Sequence, residues 1–400
     1  MTKKNEFIQY GKHFIDTEDI KEVTKVLKSN FLTSGPYSKK FEKAFSEYVG
    51  SKYAIVCSSG TAALHLASLA IGLKKGSSVI VPSISFLATA NAPHYVGADI
   101  IFSDVDPITG LMTEHSLEEA ILKTKKKIKA IFPVHLNGHS VDMISISKIA
   151  NKFGIPIIED ACHALGTSIY GKKKVGACEF SDLSTFSFHP VKTIAMGEGG
   201  IITTNNKKMY DLISLLRNHG MEKEEKFLQQ NDEAFDNKNN IKPWFYQMRL
   251  LGYNYRASEL NCALGFSQIK KINFFYKRRK FIENKYKESF KNFSPHIKAI
   301  DAPKYSNSCL HLFALHIDFN FFKITKSELI NKLKKKGIGS QVHYIPIYKQ
   351  PYWKEKYGKQ ELPGAEKYYQ SCLSIPFYPA MSDEQVEYVI FNLKELFSGI

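Results

Sequence analysis

The sequence predicts an α/β protein built around a mainly parallel sheet. Short apolar, β-branched runs alternate with amphipathic stretches of helical length from about residue 18 to 215. Glycines and small polar residues punctuate the joins. A chain of 400 residues with 44% hydrophobic content can bury a core of two or three domains. Strands are expected at 53–56, 78–81, 100–102, 130–134 and 155–158, with helices such as 117–123 and 144–153 between them. The β-prone run from Leu183 to Phe188 leads through Gly197-Glu198-Gly199-Gly200 into the apolar Ile201-Ile202, a strand that turns back beside it. The polar stretch from Glu222 to Lys242, with Gln229-Gln230-Asn231-Asp232 and Asn237-Lys238-Asn239-Asn240, lacks apolar periodicity and predicts an exposed loop or flap. A helix is expected from about Ser258 to Glu283. Beyond residue 296, strands such as 312–317 alternate with helices such as 326–336, giving a smaller α+β domain. The expected division is a large domain over 10–257, carrying the 222–242 insert, and a connecting helix with a small domain over 258–400. No internal repeat is apparent.

Composition narrows the function classes. The formal charge of +16 raises nucleic acid as a partner. The lysines, however, cluster at 123–129, 270–280 and 332–336 on separate predicted helices, and no zinc-finger, RRM or basic-zipper pattern accompanies them. A solvated surface is the expectation, with attraction of anionic nucleotide sugars as the alternative and no nucleic acid partner. Lysines near Met1 precede no apolar segment, and no later run approaches the roughly 18 apolar residues of a membrane span. A cytoplasmic protein without membrane attachment is expected. The six cysteines, at 57, 162, 178, 262, 309 and 372, lack CxxC or zinc spacing, so reduced thiols and no metal are expected.

Three motifs carry chemistry. Ser187-Phe188-His189-Pro190-Val191-Lys192 places a lysine on a loop between a strand and a glycine turn, and a desolvated lysine forms imines where a solvated ammonium does not. Upstream, Ile157-Ile158-Glu159-Asp160-Ala161-Cys162-His163 delivers an acid at a strand's carboxyl end, where parallel sheets bind ligands. Ser58-Ser59-Gly60-Thr61-Ala62-Ala63 opens a helix after a strand, and its first amides suit a phosphate. Lysine, strand-end aspartate and phosphate cradle together meet the needs of pyridoxal phosphate: an imine partner, a partner for the ring nitrogen, and an anion site.

At these residues the chain resembles the DegT/DnrJ/EryC1/StrS sugar aminotransferases, within the fold type I pyridoxal-phosphate enzymes, from about Tyr10 to the C-terminus. That fold has a large sheet of seven strands and a smaller C-terminal domain. The runs Asp19 to Lys28, Phe31 to Pro36, Ser85 to Ala92, Pro243 to Tyr246, Gly252 to Arg256 and Gln341 to Tyr344 are most similar to one branch. That branch aminates C4 of a UDP-linked 4-keto-6-deoxy-N-acetyl-hexosamine on the way to pseudaminic acid.

The resemblance implies roles for particular residues. Lys192 holds the cofactor as an imine and, once released, moves the proton. Asp160 pairs with the ring nitrogen, Phe86 stacks on the ring, and His163 lies beside its hydroxyl. The amides of Thr61 and Ala62 and the Ser187 hydroxyl hold the phosphate, which Asn254 of a second subunit also reaches, implying a homodimer with shared active sites. Tyr10, Phe31, Leu32, Thr33, His343 and Tyr344 line the nucleotide-sugar site. Arg256 and His343 are candidates for the donor's carboxylate, the donor being L-glutamate and pyridoxamine phosphate the intermediate cofactor form.

Two stretches depart from the family pattern: Thr193 to Met196, and Leu136-Asn137-Gly138, where tyrosine or alanine is common in place of asparagine. Relatives with histidine in place of the lysine are dehydratases, and Lys192 argues against that chemistry. The alternatives are amination of another nucleotide-linked keto sugar, of legionaminic acid, bacillosamine or perosamine type, or a non-catalytic binding protein or regulator on the same fold. The latter has no need for the set Lys192, Asp160 and Ser187.

Overall fold

In the computed structural model, which describes residues 7–171, 173–228, 233–238 and 240–398, seven strands form the central sheet. They are β1 (Tyr53–Cys57), β2 (Ser78–Pro82), β3 (Asp99–Ser103), β4 (Ile128–Ile131), β5 (Ile158–Asp160), β6 (Leu183–Ser187) and β7 (Gly200–Thr204). β3, β2 and β4 pair in parallel, as do β5 and β6. Parallel bridges from Ile131 to Ile157 and from Val134 to Asp160 join the two groups, so the order is β3-β2-β4-β5-β6-β7-β1. Only β7 runs against its neighbours β6 and β1. β2 is buried at every position because helices cover both faces, which is why it reads as a continuous apolar run.

Helices α1 (Thr17–Leu27), α2 (Pro36–Val49), α3 (Gly60–Ala70), α4 (Ala88–Tyr95), α5 (Glu114–Lys123), α6 (Met143–Phe153) and α7 (Lys207–Arg217) accompany these strands. Asp16 starts α1 with a capping box completed by Asp19, and Asp142 caps α6. α3 is buried at eight positions between neighbouring elements, including its first residue, Gly60.

The single helix expected from Ser258 to Glu283 is two helices, α8 (Glu259–Lys270) and α9 (Ile272–Phe290). Lys271 breaks it: its N–H bonds the Gln268 and Ile269 carbonyls, and its ammonium holds Asp16 at 2.8 Å and Asp19 at 2.5 Å. α8 thus stays against α1 and α2, while α9 leads into a second core. Two strand boundaries also shift. β4 ends at Ile131, before Pro133, which has no N–H for a ladder; β5 starts at Ile158, beyond Pro156. In the polar stretch, Met221–Glu222 pairs with Gln247–Met248 and one helical turn spans Glu225–Phe227. Residues 229–232 and 239 of that stretch lie outside the described residues, as do Met1 to Glu6.

The second core lies on the antiparallel sheet of β8 (Ile297–Ala299), β9 (Phe313–Ile317) and β10 (Cys372–Ile375), covered by α9, α10 (Lys326–Lys335) and the helix Asp383–Ser398. Ile8 bridges Ile338, with N–H···O distances of 2.8 Å to Gly337 and 2.7 Å from Gly339, and this brings the N-terminal arm beside residues 341–344. All six cysteines are free thiols. Among the described residues no helix is long and apolar enough to cross a membrane.

The Asn137-Gly138 turn seats the central sheet on the chain segment that enters β9. Asn137 (φ 59°) and Gly138 (φ 101°) are both left-handed, and the Asn137 carbonyl accepts the His311 N–H at 2.9 Å. A Cβ on Gly138 would lie 2.3 Å from the Cys309 carbonyl oxygen, a backbone atom with little room to move. Gly138→Ala is therefore expected to destabilise the protein by about 2–3 kcal/mol in denaturant unfolding. Wild-type stability would mean that the two segments separate freely.

Candidate active site

The carboxyl ends of β1, β5 and β6 lie at one edge of the sheet, because the reversed β7 leaves β1 parallel to β6. β1 leads into α3, β5 ends at Asp160, and β6 ends at Ser187 with the Lys192 loop beyond it. A cavity of about 610 Å³ opens there, and Thr61, Phe86, Asp160, His163, Ser187 and Lys192 line it. Tyr10, His343 and Tyr344 close it from the N-terminal arm and the segment before β10.

Lys192 is held by its loop. Its N–H donates to the His189 carbonyl at 2.8 Å, while Phe188 donates to Gly199 at 2.8 Å and accepts from Met196 at 2.9 Å. Phe188 packs edge-on to Phe41 and Phe45, anchoring the loop in the core. Burial pushes the ammonium below its ordinary value, with the Cys162 and Asp160 side chains opposing the shift. Desolvation thus favours the neutral, nucleophilic amine.

Asp160, 5% exposed, accepts from the Thr89 hydroxyl at 2.7 Å and from the Cys162 N–H at 3.2 Å. No cation among the described residues forms an ion pair with it. A buried carboxylate with no close ion pair suits a ligand with a protonated ring nitrogen. At α3, Ser59 caps the helix by accepting the Ala62 N–H at 3.1 Å. The Ala62 amide, expected to hold the phosphate, is engaged by this cap. The amides of Gly60 and Thr61 remain at the positive end of the helix without an acceptor among the described residues. A Cβ on Gly60 would lie 2.7 Å from that of Ser187, so only glycine lets this helix end close on β6. Phe86 is 56% exposed at the cavity wall and offers a ring face. These features fit pyridoxal phosphate: an amine, an anion cradle, a carboxylate and a stacking ring around one space.

His163 accepts the Asn137 N–H at Nδ1, 3.3 Å away, and its Nε2 lies 3.0 Å from the Tyr344 hydroxyl. Since Nδ1 accepts, Nε2 carries the proton. Burial, then Lys192 and His343, push His163 well below the usual imidazole range; burial and Lys192 bring His343 down to about 3. His343 bonds Ser374 at 2.9 Å, and its ring lies 5.4 Å from that of Tyr10.

Other predicted residues lie elsewhere in the single chain. Phe31, Leu32 and Thr33 are exposed and do not line the cavity, and neither does exposed Asn254. Arg256 donates to the Asn218 side chain at 2.5 Å and lines a separate cleft. Sequence reasoning missed Thr89, the wall residue His311, whose ring lies 4.6 Å from that of His163, and the buried His135–Glu159 pair. Thr89 sits inside the Ser85 to Ala92 run, but its contact with Asp160 spans 71 positions and leaves no local signal.

Glu159 faces away from the cavity. It accepts from His135 Nε2 at 2.6 Å, from Ser184 at 2.8 Å and from Ser181. His135 Nδ1 accepts the Val141 N–H at 3.1 Å. Burial opposes ionisation of Glu159, but these hydrogen bonds outweigh it and hold its pKa below 4.5. A depressed folded-state value stabilises the protein above the ordinary carboxylate range, and that contribution fades as pH falls through the depressed value. Glu159→Ala should cost about 3–5 kcal/mol near neutral pH by leaving buried donors unpaired. In unfolding curves recorded from pH 7 downward the gap to wild type should narrow below the ordinary carboxylate range; a gap constant with pH would show that packing alone is lost.

The model of the DegT/DnrJ/EryC1/StrS aminotransferase family matches residues 13–394. The UDP-4-amino-4,6-dideoxy-N-acetyl-beta-L-altrosamine transaminase of Campylobacter jejuni is 38% identical over 391 residues, 97% of this chain and 98% of its own. Among solved structures, Helicobacter pylori PseC, an aminotransferase involved in the biosynthesis of pseudoaminic acid, aligns at 30% identity with a TM-score of 0.88, covering 99% of this chain and 100% of its own. Spr1654 from Streptococcus pneumoniae, in its PLP form, aligns at 26% identity with a TM-score of 0.85, covering 98% and 99%. Matched along almost its whole length, with a lysine, a buried carboxylate and an open helix end meeting in one cavity, the protein belongs to the DegT/DnrJ/EryC1/StrS aminotransferase family.

Proposed function

We propose that the protein is a pyridoxal-phosphate-dependent aminotransferase that places an amino group on C4 of a UDP-linked 4-keto-6-deoxy-N-acetyl-hexosamine, the L-altro sugar of pseudaminic acid synthesis. L-Glutamate is the donor, and pyridoxamine phosphate is the amino-carrying form of the cofactor. One observation carries the reading: the buried carboxylate of Asp160 shares a cavity with Lys192 and the open amide end of α3. The names of the Campylobacter and Helicobacter relatives support the choice of sugar.

When bound, pyridoxal phosphate supplies an electron sink at the amine-bearing carbon. Lys192 anchors the cofactor's aldehyde and, when free, carries the proton on Nζ; its desolvation keeps that nitrogen able to accept one. Asp160 would hold the ring nitrogen, Phe86 would lie against the ring, and His163, whose Nε2 meets the Tyr344 hydroxyl, would lie beside the ring hydroxyl. The Thr61 amide and Ser187 hydroxyl take the phosphate. Tyr10, His343 and Tyr344 orient the hexose, and binding of the distant nucleotide positions the ketone. Free thiols and a nucleotide-sugar substrate support a cytoplasmic location.

The site belongs to a homodimer in this reading. Asn254 is exposed between Tyr253 and Tyr255, whose rings stack at 5.0 Å and both lie against His65. The tyrosines pin the segment while Asn254 stays free to reach a second copy's phosphate. Phe31, Leu32 and Thr33, equally exposed, would line the partner's sugar site.

Purified protein incubated with UDP-, GDP- and dTDP-linked 4-keto sugars and L-glutamate should favour the UDP-N-acetyl sugar by about a hundredfold or more in kcat/KM. Lys192→Ala should abolish turnover. Equal use of sugars lacking the acetamido group would remove the sugar assignment and leave the aminotransferase. Subunit sharing is tested by mixing inactive Lys192→Ala and Asn254→Ala proteins: mixed dimers should regain activity, having one intact site of two. Full activity of Asn254→Ala alone, or a monomeric active enzyme, would refute it.

A further inference from the structure

Asp160 is gripped by a turn far from it in sequence. Thr89 Oγ1 lies 2.7 Å from Asp160 Oδ2 and 2.6 Å from Ser85 Oγ. Ser85 is 2% exposed and Thr89 fully buried, so water does not compete for these contacts. A hydroxyl has one proton. Because Thr89 gives its proton to the carboxylate, Ser85 must donate to Thr89, and the chain of bonds runs one way, from Ser85 through Thr89 to Asp160. Such a chain strengthens its last bond. The same turn carries Phe86, whose carbonyl accepts the Thr89 N–H at 3.3 Å. One short segment thus sets both the ring face and the direction of the carboxylate.

We infer that Thr89 is a positioning residue: with Ser85 behind it, it occupies one side of Oδ2 and turns the remaining lone pairs of Asp160 toward a protonated ring nitrogen. This rests on the proposed role of Asp160 and names the group that aims it. Oδ1 is tied to the Cys162 N–H at 3.2 Å, so the carboxylate is held at both oxygens and cannot swing about its own bond.

The test compares Thr89→Val, which keeps the shape and removes the hydroxyl, with Thr89→Ser, which keeps the hydroxyl, and with Asp160→Asn. Three quantities are read: the Kd of pyridoxal phosphate for the apoprotein, the pH titration of the bound cofactor's absorption band, and kcat against KM for the keto sugar. Thr89→Val should weaken cofactor binding and lower kcat about tenfold, the worth of one hydrogen bond to a charged group, with a shifted band titration and an unchanged KM. Thr89→Ser should stay within about threefold of wild type, since the lost methyl touches neither bond. If Val and Ser variants behave alike, the hydroxyl has no positioning role and the inference falls. Should Thr89→Val fail to fold by circular dichroism, Ser85→Ala replaces it, with a smaller change of the same sign expected; no change in Kd, band or kcat would overturn the inference. A normal Asp160→Asn protein would instead overturn the reading of Asp160 itself.

Discussion

A carboxylate removed from water must be met by donors, and Asp160 is met by the Thr89 hydroxyl and by Cys162. The arrangement around it follows from that constraint. β5 is three residues long, and its last two point to opposite faces. Glu159, on the inner side, is satisfied by His135, Ser181 and Ser184. Asp160, on the cavity side, keeps capacity for a ligand. Two adjacent acids thus have different fates, one closed by the fold and the other left open by it.

The rest of the cavity is arranged to keep charge sparse. Burial pushes His163, His311 and His343 toward the neutral form around the amine of Lys192. Asn137 links this cluster to the scaffold: its amide meets His163, its carbonyl meets His311, and its side chain donates to Tyr368 at 3.0 Å. The left-handed conformation that permits this is one asparagine tolerates better than most residues.

Much of the scaffold was legible in the sequence because it depends on local pattern. Alternating apolar strands and amphipathic helices, glycine punctuation and Ser/Asp caps are short-range signals, and they identified the strands, the Lys192 loop, the strand-end Asp160 and the start of α3. The boundaries that moved did so at Pro133, Pro156 and Lys271. The prolines lack a ladder donor, and Lys271 answers to Asp16 and Asp19, more than 250 positions away. Likeness to a family, more than spacing, singled out Phe86, His163, Tyr10, His343 and Tyr344.

The sequence by itself determined most of the elements, the strand–helix alternation of a mainly parallel sheet, and the presence of a loop-borne lysine, a strand-end acid and an open helix start. Tertiary structure alone decided how those groups are held. The Thr89 grip on Asp160, the closure of Glu159 by His135, the use of the Ala62 amide by its own cap and the seating of His311 on Asn137 all depend on atoms brought within hydrogen-bond reach by packing. Packing distance is not encoded in any local stretch of chain, and a hydrogen bond is decided by tenths of an ångström.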